Sequence, residues 1–147
     1  MLPVAFLAAC SDDEDSSVID LGEQAIGVCL DFPDDVGPEI TDLPEVACAY
    51  PHTHEIIAIV TAVGDGEGDS DGDVYPGLEA LEAEAQAECL AALEPYVGIN
   101  PFDSDLFTSW LVPTLTSWDR EGDRQIVCVV GNANAAPLVG SVRDAAR

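Results

Sequence analysis

Five cysteines stand at positions 10, 29, 48, 89 and 128 of a 147-residue chain, and an odd number cannot all pair within one molecule. Cys10 is set apart: it closes the apolar run MLPVAFLAAC, directly before the polar run SDDEDSS. The other four are interleaved with apolar segments along the rest of the chain. Four cysteines of this kind in an exported domain read as two disulfides, with three ways to pair them. No two have the Cys-x-x-Cys spacing of a zinc site, and the chain carries no P-loop, dinucleotide fingerprint or His-Glu-x-x-His motif, so no metal and no cofactor is expected. Two cross-links in a chain long enough for one domain fix the class of fold more firmly than any other feature.

The N-terminus accounts for the odd cysteine. An apolar segment ending Leu7-Ala8-Ala9-Cys10 resembles the lipobox of bacterial lipoproteins, where small residues precede the cysteine that takes a diacylglyceryl group. The run is too short to cross a hydrocarbon layer, which needs about 20 residues, and it has no positive n-region. Residues 1–10 therefore read as a lipoprotein-type signal remnant whose leader begins upstream, with lipidation at Cys10. Residues 11–21 read as an acidic tether. The expected location is the outer face of the cytoplasmic membrane, held by the lipid anchor.

Periodicity then sets the elements. AIGVCLDF (25–32) and EVACAYP (45–51) read as strands, and HEIIAIVTAV (54–63) as a central one because Ile56, Ile57, Ile59, Val60, Thr61 and Val63 are β-branched. DFPDDVGPEITDLP (31–44) is a connection rich in Pro and Asp. From Leu78 to about Glu94 the pattern is helical: Leu78, Leu81, Ala85, Cys89, Ala92 and Tyr96 form one apolar stripe, and Pro95 is expected to end it. A short helix is expected over Ser104–Trp110, a turn around Trp118, a strand through Ile126–Val129 and an edge strand near Leu138–Val142. The order implies an α+β fold, a mostly antiparallel sheet with one main helix packed on a face and stapled by two disulfides. Cys29–Cys48 would join neighbouring strands and Cys89–Cys128 the helix to the last long strand; that is the expected pairing.

Charge excludes several functions. The chain has 29 acidic residues against four arginines and no lysine, a formal charge of −25. A nucleic-acid binder needs cations to displace counterions from phosphates, so nucleic acid is not a partner. With 48 % hydrophobic residues the chain is still no disordered acidic tail. The acidic, Gly-rich stretch 64–73 has the composition of calcium loops. It fails the EF-hand register, because position 6 counted from Asp65 is Ser70 and position 12 is Pro76.

The runs GVCL (27–30), VACAYPHTHEI (46–56), YPG (75–77), YVG (96–98), PTLTSW (113–118), GDRQIVC (122–128) and VGS (139–141), in this order with four cysteines among them, resemble the actinobacterial septum formation domain. The resemblance covers residues 22–142 and leaves 143–147 as a C-terminal tail. It implies an extracytoplasmic domain linked to cell division or envelope processes, and establishes no enzymatic activity. The long acidic stretch at 64–73 departs from the usual pattern.

The polar residues within these motifs are His52, Glu55, Trp118, Asp123 and Arg124. Together they would make a cleft with an imidazole, a carboxylate, an anion-gripping guanidinium and an aromatic wall. The plainer reading is a structural network in which Arg124 pairs with Glu55 or Asp123 and holds the Trp118 turn on the third strand. Extended alternation would put His52 and His54 on one face, where two nitrogens could meet a metal; a strand-entry turn is the simpler account. The chain therefore reads as a non-catalytic, lipid-anchored interaction domain with an envelope protein or cell-wall partner. The alternative is an envelope lipoprotein that binds a small ligand or a divalent cation.

Overall fold

The computed structural model describes residues 25–34, 43–63 and 74–147; Cys10, the tether and the acidic stretch 64–73 lie outside them. Five strands form one antiparallel sheet in the order β2-β1-β3-β5-β4, so the Ile-rich segment is central as its composition demands. The strands are β1 (Cys29–Leu30), β2 (Glu45–Val46), β3 (His54–Thr61), β4 (Leu106–Leu111) and β5 (Gln125–Asn132). β3 pairs with β5 over nearly its whole length, with a bulge between Ile56 and Ala58. The bulge sends Ile57 and Ala58 to the same core while Ile56 and Ile59 join the other. One extra residue thus resets the alternation.

The helix α1 (Leu78–Val97) covers one face of the sheet and buries Leu81, Ala85, Cys89, Leu93, Tyr96 and Val97. Against it lie Ile57, Leu106, Trp118, Ile126, Cys128 and Val130. A smaller cluster of Ala25, Leu30, Ile56, Val127 and Val129 fills the opposite face. β5 faces both clusters, which is why Ile126 to Asn132 are buried without a break. Both expected disulfides are present, Cys29–Cys48 and Cys89–Cys128. No helix among the described residues is long and apolar enough to cross a membrane.

Five local expectations differ from the structure. Ser104–Trp110 is not a helix: a 3-10 turn at Pro101–Asp103 leads into β4, which completes the hydrogen-bonding edge of β5. The segment around Trp118 is not a turn but the helix α2 (Leu115–Glu121). Its N-cap Thr114 accepts from Ser117 N while Ser117 Oγ accepts from Thr114 N, a reciprocal cap of the first turn. α1 does not stop at Pro95 but runs one turn further, because Tyr96 and Val97 are buried and Gly98 takes the left-handed conformation (φ 89°) that closes the end on the Glu94 carbonyl. Leu78, placed on the stripe by its spacing, is 54 % exposed. The edge strand near Leu138–Val142 reduces to one antiparallel bridge between His52 and Leu138.

Candidate functional site

The site is built where β3 begins. Thr53 hydroxyl donates to the Leu30 carbonyl (3.1 Å) and accepts from Phe32 N (2.9 Å), and the chain bends there. The bend overturns the expected alternation of the two histidines. His52 is buried with Glu55 toward α1, whereas His54 is on the opposite face, its ring 5.4 Å from that of Phe32 and 6.3 Å from that of Phe107.

Glu55 is a charged residue type with no exposed surface, so its acceptors have to be satisfied from within. Oε1 accepts from the Tyr96 hydroxyl (2.5 Å) and the Ser141 hydroxyl (2.6 Å), and Oε2 from Val142 N (2.8 Å). One carboxylate thus joins the central strand, the end of α1 and the C-terminal segment. Burial, and then the bond to Glu55 and its charge, push the Tyr96 phenol up to about 12, opposed in part by Arg143. The Arg143 guanidinium stacks on the Tyr96 ring at 4.7 Å. His52 Nδ1 lies 2.8 Å from the Tyr50 carbonyl; a carbonyl only accepts, so Nδ1 carries the hydrogen and Nε2 the lone pair. Nε2 is buried without a hydrogen-bond partner among the described residues.

The five residues singled out by sequence do not converge. Trp118, Asp123 and Arg124 form a corner at the far end of β3, where Ala62 N donates to the Arg124 carbonyl (2.7 Å). Glu55 and Ala62 are seven residues apart, roughly 23 Å along an extended strand. Arg124 lies over the Trp118 ring at 3.7 Å and donates to the Trp118 and Asp123 carbonyls, both at 2.9 Å. Asp123 accepts from Ser117 Oγ (3.1 Å) and Gln125 N (3.0 Å). Arg124 therefore meets Asp123 through its main chain and does not reach Glu55. The group is a clamp on α2.

Two features had no sequence signal. Tyr96, Ser141 and Val142 converge on Glu55 across 41 to 87 residues, beyond any local pattern. The second is a cleft of about 380 Å³ on the sheet face away from α1, lined mainly by Phe32, His54, Phe107, Leu111, Val129 and Gly131. Gly131 permits its shape: a Cβ there would meet the Thr53 carbonyl at 3.0 Å and the His54 ring at 3.2 Å. Burial, and secondarily His52, hold the His54 imidazole below its usual value of 6.5, so it meets a ligand at neutral pH as an uncharged ring. Among the described residues one cluster has the makings of a metal site: ligand atoms of Cys29, His52 and Glu55 lie within 4.8 Å of one another.

A family model described as septum formation matches residues 20–144, the greater part of the chain. No curated protein and no solved structure matches it.

Proposed function

The chain belongs to the septum formation family, and from that premise we propose that it is a non-catalytic, lipid-anchored interaction domain acting at the outer face of the cytoplasmic membrane during septum formation. The observation that carries this reading is the pair of disulfides, one of them sealed in the core with Cys89 and Cys128 both unexposed. Bridges of this kind form and persist in oxidising compartments and are rare where glutathione and thioredoxin keep thiols reduced. The lipobox-like run before Cys10 supports the anchor. Non-catalysis is supported by how the polar side chains are used: Glu55 accepts three hydrogen bonds, and Arg124 is laid flat on an indole.

The surface offered to a protein or cell-wall partner is the cleft beside Phe107, which is 43 % exposed. Metabolic labelling with an azide-bearing fatty acid tests the anchor: label on the wild type that disappears in Cys10→Ala is expected, and an unlabelled wild type overturns it. Crosslinking in dividing cells, followed by capture of the lipidated protein, tests the role. Recovery of division-site or wall components that falls with Phe107→Asp supports it. Recovery unchanged by that substitution removes the cleft as the binding surface.

A further inference from the structure

The buried cluster at the start of β3 has a feature that packing does not explain. His52 is 1 % exposed, yet its Nε2 lone pair has no hydrogen-bond partner, and an unsatisfied buried acceptor is costly. Beside it stand Glu55 and Cys29, with ligand atoms of all three within 4.8 Å. We propose that Cys29, Cys48, His52 and Glu55 form a reduction-gated site for a borderline-soft divalent metal of the zinc class. The inference goes beyond the proposed function, since it needs a reductant to open a bridge that an oxidising compartment keeps closed.

The outer shell that such a site requires is already in place. A metal-binding histidine donates its other ring N–H to a carbonyl or carboxylate, and a ligating carboxylate is itself hydrogen-bonded. His52 Nδ1 faces the Tyr50 carbonyl at 2.8 Å. Glu55 Oε2 accepts only from Val142 N, while the Tyr96 and Ser141 hydroxyls go to Oε1. One lone pair of Oε2 is thus unused among the described residues. Thiolate, imidazole and carboxylate together suit a tetrahedral zinc-type ion.

The gate is the Cys29–Cys48 bond, which withholds both sulfurs. Its two ends differ in access: Cys29 is 1 % exposed, whereas Cys48 is half-buried. A dithiol of the thiol–disulfide oxidoreductase type attacks Cys48 Sγ, and the S–S bond breaks with Cys29 leaving as thiolate. The second thiol of the reductant then releases Cys48, so two electrons and two protons pass to the protein and the reductant ends as a disulfide. Metal binding displaces the two thiol protons. Cys89 and Cys128 are both unexposed, so the second bridge is attacked later.

The test compares the full chain closed with the same chain opened by a dithiol and desalted without oxygen. Zn²⁺ is the probe, with excess Mg²⁺ occupying exposed carboxylates. One Zn²⁺ per opened chain is expected, with release of two protons, a thiolate-to-metal charge-transfer band with Co²⁺, and no comparable binding to the closed chain. His52→Gln should weaken binding by more than the 10–100-fold typical of losing an outer-shell partner. Cys48→Ala, which frees Cys29 with the other bridge intact, should show the Co²⁺ band with no reductant. If the opened chain loses its fold, Zn²⁺ should restore it. Equal binding by closed and opened chains, an unaffected His52→Gln, a folded Cys48→Ala without the band, or an opened chain that neither binds nor refolds would each overturn the proposal.

Discussion

Replacing Glu55 by glutamine keeps the shape of the most deeply placed acidic side chain and changes only its charge and one acceptor. Glu55 accepts three hydrogen bonds at 2.5, 2.6 and 2.8 Å with no exposed surface. Bonds to a charged acceptor contribute about 1.5–3 kcal/mol each against about 0.5–1.5 for neutral pairs. The Tyr96 and Ser141 hydroxyls can rotate to receive the new amide, and Val142 N can still donate to the amide oxygen. Glu55→Gln should therefore cost about 1 kcal/mol per bond, about 3 kcal/mol in all, and lower the melting temperature by roughly 10 °C for a chain of this size. Glu55→Ala also orphans Val142 N and opens a void, and should cost about 5 kcal/mol. Urea unfolding with both disulfides intact measures each value. A double-mutant cycle with Tyr96→Phe should show a coupling of about 1 kcal/mol. A loss below about 0.5 kcal/mol for the glutamine variant, half of what is expected for a single bond, or strict additivity in the cycle, would refute the view that this carboxylate locks three segments together.

His54 is held below 6.5 chiefly by burial, so the unfolded chain binds its proton first; the stability it contributes is full above pH 6.5 and is lost as pH falls through the folded value. Ring titration by NMR, with His54→Phe abolishing that part of the acid sensitivity, checks this; a midpoint at or above 6.5 contradicts it. Tyr96 is raised to about 12, so stability should fall as pH rises from about 10 toward 12, and phenolate absorbance of Tyr75→Phe/Tyr50→Phe protein should show one late-titrating tyrosine. Opening the Cys89–Cys128 bridge, which spans 39 residues, should cost about 4 kcal/mol, and Cys29–Cys48, which spans 19, about 3; paired Cys→Ala variants in urea give both, and a reversed order would argue against loop closure as the source.

What the sequence revealed depended on range. The β-branched run from Ile56 marked the central strand, and Cys89 on an apolar stripe marked both the helix and its cross-link, because each signal is local and repeats. β4 carries apolar residues on both faces, Leu106 and Trp110 toward α1 and Phe107 and Leu111 toward the cleft, so it lacks the alternation that separates strand from helix. α2 was missed although its cap was present, since Ser117 stands where the usual reciprocal cap has Glu or Gln. The polar residues were drawn into one site by their motifs, yet Glu55 and Arg124 sit at opposite ends of β3. Glu55 is marked by its place in a motif, but its partners lie 41 to 87 residues away. The cleft depends on the bend at Thr53 and on the missing side chain of Gly131, neither of which has a pattern.

Peptide mapping of the protein isolated from cells, alkylated at once and never reduced, asks whether the domain is exported and held by two disulfides. Linked peptides carrying Cys29 with Cys48 and Cys89 with Cys128 are expected. Alkylation of all four as free thiols in the native protein would contradict it.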